Sequence, residues 1–201
     1  MLFNFTFFPV TQNRLHTRRG FGLVELMVSI SIMTLVSTII LVKNRSFNNA
    51  LLLRNQAYEI AFSLRQVQLL AVSGTREAGG SSDQYGIYVD ISGAQSSRYR
   101  LFRDDSALST NLGRYDAGDT TIGTLGTLDP RFEIQSITNS SGTVLDTRLS
   151  ISFVRPNFDA LFKTSSGGYF AGPVYLNIAT KEASTVVRSV EITATGQISV
   201  K

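Results

Sequence analysis

Apolar residues fill the chain from residue 21 to residue 42, and Glu25 is the one charged residue among them. This run has 22 residues. A helix of that length, rising ~1.5 Å per residue, spans about 33 Å and can cross the hydrocarbon core of a bilayer. Arg14, Arg18 and Arg19 precede the run, and basic residues stay on the cytoplasmic side. The pattern therefore predicts one membrane-spanning helix with its N-terminus in the cytoplasm.

The hydrophobic pattern becomes amphipathic beyond the apolar run, with the period of a helix and without a proline before Gly74. One face is apolar or small, with Gln68 as its polar member, and comprises Ala57, Ile60, Ala61, Leu64, Val67, Gln68 and Ala71. The other side is polar and comprises Arg54, Glu59, Ser63, Arg65 and Gln66. We expect one helix over residues 21–72 that ends at Ser73 and Gly74, with the apolar face of its second half against a sheet.

The rest of the chain alternates between short segments with a two-residue period and segments rich in Gly, Ser, Asp and Thr, which is typical of strands and turns. The predicted strands are 85–91, 98–103, 131–138, 147–154, 174–179, 186–194 and 197–200, and the main predicted loops are 104–127 and 164–172. The first two strands and the last two are predicted hairpins. The fold class is therefore α+β, with one long N-terminal helix packed on an antiparallel β-rich head.

Glu25 needs a partner, because an acidic side chain in a membrane helix costs roughly 2.5–3.5 kcal/mol and is a functional candidate by default. Cleavage after Gly20 would create an α-amino group on Phe21. Glu25 lies four residues further along the sequence, about 6 Å along a helix. The new amine could thus neutralise Glu25 of the same chain or of a neighbouring chain.

The segment Arg18-Arg19-Gly20-Phe21-Gly22-Leu23-Val24-Glu25, followed by an apolar helix, resembles the leader of type IV prepilins and type II secretion pseudopilins. The resemblance implies that a prepilin peptidase cuts between Gly20 and Phe21 and methylates the amine of Phe21, and that Glu25 guides assembly. Gly22 departs from the Ser or Thr usual in that family. The chain would then comprise a leader (1–20), a transmembrane and filament-core helix (21–42), its amphipathic continuation (43–74) and an extracytoplasmic head (75–201).

A looser resemblance links the helical segment 56–68 and the terminal hairpin 190–198 to the H-type minor pseudopilins of type II secretion and the FimT-like minor pilins. It implies a minor structural subunit of a type IV pilus or a type II secretion pseudopilus. Its partners would be the prepilin peptidase, other pilin or pseudopilin subunits and the inner-membrane assembly platform. The precursor would lie in the cytoplasmic (inner) membrane, and the head would join a filament after assembly.

Nucleic-acid capture by a competence pilus is an alternative function. Arg98 and Arg100 would share one face of a strand with Arg103 nearby, although such a row is more often a solvated sheet face. DNA-binding relatives carry a G-R-x-R motif in the terminal hairpin, where this chain has Gly196-Gln197-Ile198-Ser199. Residues 21–201 hold 16 basic against 15 acidic residues, which weakens the case for electrostatic binding of nucleic acid.

An enzyme is not expected, because the chain has no cysteine and its single histidine, His16, lies in the leader. No cofactor is expected either. Asp116 and Asp119 are weak candidates for calcium binding, since aspartates are also common in turns. A single-pass anchored surface protein is a lesser alternative. An ordinary signal peptide fits poorly, because its apolar core has about 7–15 residues and a small-residue cleavage site follows.

Overall fold

The computed structural model describes residues 22–73, 84–105, 111–153, 158–182 and 186–201, with the side chains of 44–47 left aside. The described residues contain one α-helix, α1 (Leu23–Ser73), and a short 3-10 turn at Gly93–Gln95. The strands are β1 (Gln84–Asp90), β2 (Arg98–Asp104), β3 (Thr120–Thr121), β4 (Gly126–Thr127), β5 (Phe132–Asn139), β6 (Arg148–Phe153), β7 (Ala160–Thr164), β8 (Tyr169–Phe170), β9 (Val174–Thr180), β10 (Val187–Ile192) and β11 (Ile198–Val200). The predicted α+β class is confirmed.

The chain divides into two units, residues 1–44 and 45–201. In the first unit, every described residue from Gly22 to Lys43 is exposed. In the second unit, the remainder of α1 contributes one face to a hydrophobic core. The predicted helix end is confirmed at Ser73, while Gly74 lies outside the described residues.

The strands of the second unit form two antiparallel sheets. The larger sheet has the order β3-β2-β1-β6-β7-β8, with β4 also paired to β2. The smaller sheet has the order β11-β10-β9-β5. The β1–β2 pair, in register from Gln84↔Asp104 to Val89↔Tyr99, and the β10–β11 pair confirm the two predicted hairpins.

The core joins the helix to the inward faces of both sheets. The helical members of this one cluster are Leu53, Ala57, Ile60, Ala61, Leu64, Val67 and Ala71. This arrangement confirms that the apolar face of the second half of the helix lies on sheet residues. Ser63 was predicted on the polar side of the helix, but the structure buries it. Its hydroxyl lies 3.0 Å from the hydroxyl of Tyr99.

The structure shows short strands inside two predicted loops and one strand that the sequence did not predict. The segment 104–127 contains the short strands β3 and β4, and 164–172 contains β8. Two-residue strands are too short to show a period. The strand β7 was not predicted, because four of its five residues are buried and no alternation between apolar and polar positions results. Its Lys163 is only 1% exposed, with its ammonium 4.7 Å from the ring centre of Tyr169.

Candidate assembly segment

The first part of α1, from Leu23 to Lys43, is apolar on all sides, and its residues are exposed. Its large apolar side chains are 46–76% exposed, from Val36 at the lower end to Leu23 at the upper. By length and composition α1 is able to cross a membrane. A helix that is apolar all round requires apolar surroundings, such as lipid or other helices. The exposed apolar side chains of this unit therefore suit contacts with lipid or with other helices.

Hydroxyl groups in this segment are satisfied by the helix itself. Ser29 Oγ donates to the carbonyl oxygen of Glu25 at 2.7 Å, and Ser31 Oγ donates to that of Met27 at 2.8 Å. Thr34 and Thr38 donate to the carbonyls four residues before them at 2.9 and 2.8 Å. These bonds lower the cost of placing hydroxyls in an apolar environment. The Glu25 carboxylate is the charged group left within the described apolar run.

Glu25 lies in the first turn of α1 and is exposed. A carboxylate in a first turn interacts favourably with the helix dipole, by ~0.3–1 kcal/mol at an exposed site. The backbone N–H of Leu26 donates to the carbonyl of Gly22 at 3.1 Å, which is a helical hydrogen bond between residues four apart. Glu25 therefore lies inside the hydrogen-bonded helix. Gly20 and Phe21 lie outside the described residues, and a pairing between the amine of Phe21 and Glu25 stays a prediction.

The three arginines considered for nucleic-acid contact do not share one surface. Arg98 and Arg100 both line a cavity of about 480 Å³, as their alternation along β2 predicts. Arg103 has the opposite parity along β2, and its Nε lies 2.9 Å from the Oδ1 atom of Asp105. Arg148 of β6 takes its place at the cavity. Sequence reasoning missed Arg148, because the pairing of β1 with β6 that places it is not visible in local periodicity.

Asp116 and Asp119 have their carboxylates engaged in local turn bonds. Asp119 accepts hydrogen bonds from the backbone N–H groups of Asp116 and Asp105 at 2.7 and 3.1 Å. Asp116 accepts from the N–H of Gly118 at 2.8 Å. Burial raises the pKa of Asp119 to about 6. Within the described ranges, no group of three or more His, Asp or Glu side chains is placed to hold a metal ion, and calcium binding here stays a prediction.

A family model described as the prokaryotic N-terminal methylation motif matches residues 15–41. This range includes Gly20, Phe21 and Glu25 as well as most of the exposed apolar helix. The chain matches no curated protein and no solved structure. The motif implies processing by a prepilin peptidase and assembly with other pilins, and with the apolar helix it fits a membrane-anchored, single-pass protein. The N-terminal segment thus carries the prepilin-type methylation motif, which supports a type IV pilin-like subunit.

Proposed function

We propose that this chain is a minor structural subunit of a type IV pilus or a type II secretion pseudopilus, processed after Gly20 and assembled through its N-terminal helix. One observation carries the proposal. The methylation motif at residues 15–41 coincides with a helical segment whose apolar side chains are exposed on every side in the single chain. A segment of this kind is suited first to lipid and then to a bundle of equivalent helices.

Charge neutralisation supports the same proposal. A carboxylate that leaves the membrane interface with an apolar helix is tolerated in a bundle only if a positive group accompanies it. Cleavage between Gly20 and Phe21 would supply that group as a terminal amine, near enough to pair with Glu25 of the same or an adjacent subunit. In this proposal Glu25 sets the register of the entering subunit and does no chemistry.

The head fits a structural role that requires no catalysis. In the described part of the chain, carboxylates such as Asp90, Asp105 and Glu191 are engaged by neighbouring arginine, lysine, serine or threonine side chains. His16 would be removed with the leader. We therefore propose a non-enzymatic building block that needs no cofactor.

Substitution of Glu25 with alanine tests this proposal most sharply. The matched control is Glu59→Ala, which removes an exposed acid from the second half of the same helix, where Glu59 accepts a bond from Gln56 at 3.2 Å. We expect the Glu25 variant to reach the membrane fraction in normal amount and to be depleted about tenfold or more from sheared filaments. The Glu59 variant should appear in both fractions as the wild type does.

Equal recovery of the Glu25 variant and the wild type in sheared filaments would contradict the assembly role of this residue. The subunit stoichiometry in those filaments distinguishes a minor from a major subunit. A value of one or a few copies for each filament supports the minor role, whereas a repeating stoichiometry overturns it.

The DNA-capturing alternative is less well supported, because residues 75–201 hold 12 basic against 13 acidic residues. Binding dominated by phosphate contacts requires clustered positive charge and weakens strongly with salt. A mobility shift of the full chain in detergent, repeated at two salt concentrations, separates the two functions. We expect no shift at low salt, and a salt-sensitive shift would favour the DNA-capturing function.

A further inference from the structure

A cavity lies beside strands β1, β2 and β6 of the larger sheet. It has a volume of about 480 Å³, within the range of ~300–1,000 Å³ that is common for small-molecule sites. Its main walls are formed by Tyr88, Asp90, Arg98, Arg100, Tyr115 and Arg148. None of residues 22–43, the candidate assembly segment, lines this cavity, so a role for the cavity would be separate from the proposed filament function.

The pairing of three strands builds this cavity. Tyr88 of β1 is opposite Arg100 of β2, and Asp90 of β1 is opposite Arg148 of β6. The Nε atom of Arg148 lies 3.1 Å from the Oδ2 atom of Asp90. Asp90 also accepts from the backbone N–H of Ser92 at 2.8 Å. The polar groups at this end of the cavity are therefore held in place before any ligand arrives.

Tyr115, which lies in the segment between β2 and β3, forms the other side of the cavity. Its ring centre lies 4.8 Å from that of Tyr88 and 5.4 Å from that of Phe102. Its backbone N–H donates to Ser150 Oγ at 3.0 Å. Arg100 lies over the Tyr115 ring with its guanidinium carbon 5.1 Å from the centre, and it donates to the Tyr115 hydroxyl. Arg100 is thus oriented by an aromatic ring.

Arg98 supplies a second guanidinium on the same strand face. It is exposed, and its guanidinium makes no hydrogen bond or ion pair with other residues in the described part of the chain. Residues two apart in a strand are separated by roughly 7 Å. Arg98 and Arg100 thus share one strand face, where both guanidinium groups can reach one ligand carboxylate. With Arg148 they outnumber Asp90, the one acid among the described residues that line the cavity, in a head that has slightly more acidic than basic residues.

We propose that this cavity binds a carboxylated sugar, with the ligand carboxylate held by Arg98 and Arg100. Arginine presents a planar fork that matches a carboxylate in a bidentate arrangement. The aromatic wall of Tyr88 and Tyr115 can contact the apolar part of a sugar ring. The acidic Asp90 favours one such residue over a nucleic-acid strand, which needs a continuous basic track.

Titration of the full chain in detergent micelles, followed by saturation-transfer NMR at low salt, tests this inference. The probes are a glucuronate-terminated disaccharide, maltose as its neutral counterpart, inorganic phosphate, and a single-stranded oligonucleotide. The test variant is Arg98→Gln, which removes an exposed side chain that the fold does not use. The matched control is Arg188→Gln on β10, a partly exposed arginine of the other sheet. Thermal unfolding of each variant verifies its folding.

We expect the acidic disaccharide to bind the wild type and the Arg188 variant equally, and maltose not to bind. Arg98→Gln should raise the Kd of the acidic disaccharide about tenfold, and Arg98→Lys should recover part of the loss because the charge returns without the fork. Equal weakening by Arg188→Gln, or binding of maltose as tight as that of the acid, would overturn the inference. It would likewise fail if phosphate or the oligonucleotide bound and the acidic sugar did not, or if no probe bound.

Discussion

The two parts of helix α1 carry similar numbers of apolar residues and use them in different ways. Before residue 43 the side chains are exposed all round, as at Met33, which is 73% exposed. Between Leu53 and Ala71 the buried apolar residues form one stripe, in which Leu64 is fully buried, while Phe62 and Leu69 outside the stripe are 70% and 65% exposed. The angular distribution of apolar residues, rather than their number, therefore distinguishes a segment made for contacts outside the chain from one made for its own sheet.

Polar side chains show the same contrast. In the first part, hydroxyls such as Ser29 bond back to the helix, so they need nothing from the head. In the second part, polar side chains bond across to the head. Ser63 meets Tyr99 at 3.0 Å, and Gln68 Nε2 donates to the carbonyl of Gly196 at 2.9 Å. The second part is thus fixed to the head by specific bonds, while the first part keeps its surface for other molecules.

The largest expected effect comes from a leucine truncation in each part of the helix. Leu64→Ala should lower the free energy of unfolding of the head by about 2–5 kcal/mol, because it leaves a cavity in a fully packed core. Leu35→Ala, at a residue that is 62% exposed, should leave head unfolding unchanged. Thermal and denaturant unfolding of the full chain in detergent measures both. Equal destabilisation by the two variants would remove the distinction between the parts.

A backbone substitution examines the contact between the second part of the helix and the terminal hairpin. Gly196 has a φ of +77°, and a Cβ there would lie 1.8 Å from the carbonyl oxygen of Phe158. Gly142 has a similar φ of +76° with nothing within 4 Å of such a Cβ. Gly142→Ala should cost about 1–2 kcal/mol from the left-handed backbone alone.

Gly196→Ala should cost clearly more than Gly142→Ala, because the carbonyl of Phe158 and the side chain of Gln68 must also move. Denaturant unfolding of the two variants gives the difference. An equal loss of unfolding free energy in the two variants would mean that the contact between Gln68 and the hairpin turn can move without cost. The hydrogen bonds from the helix to this turn would then contribute little to stability.

A smaller effect is expected from the buried hydroxyl pair. Tyr99→Phe removes one partner of Ser63 and should destabilise the head by about 1 kcal/mol, because the Ser63 hydroxyl stays buried. The double variant with Ser63→Ala should be less destabilised than the sum of the single variants. A double-mutant cycle on denaturant unfolding measures the coupling. Strict additivity would show that the two hydroxyls do not interact.

The fold could be predicted well where the pattern is local and long. The helix, its apolar stripe and the hairpin of β1 and β2 follow from periodicity, because each repeats one environment over several residues. The strand β7 could not be predicted, since burial on both faces hides its period. Glu25 was evident as one charge in an apolar run. Arg148 was not, because the β1–β6 register that brings it to Arg98 and Arg100 joins segments far apart in sequence.

A further expected effect concerns pH and is confined to the head. Burial raises the pKa of Asp119 from 3.8 to about 6, so the folded head binds this proton more tightly than the unfolded chain. Its contribution to stability is therefore present below pH ~4 and is lost as the pH rises through about 6.

Asp119→Asn should flatten the stability profile between pH 4 and pH 7, as measured by thermal unfolding of the full chain in detergent. Glu191 should act with the opposite sign, because bonds from Lys201 and Tyr175 lower its pKa to about 2. Its contribution is present above pH ~4.5 and is lost as the pH falls through about 2. A profile that is unchanged in Asp119→Asn would contradict the assignment to this residue.

The central claim is that the exposed apolar part of α1 becomes an assembly segment once proteolysis creates an amine near Glu25. Mass spectrometry of the chain recovered from sheared filaments, or from membranes of the native host, tests it most directly. The account predicts a polypeptide that begins at N-methylated Phe21 and lacks residues 1–20. Recovery of the chain with residues 1–20 still attached would contradict the claim and favour a permanently anchored surface protein.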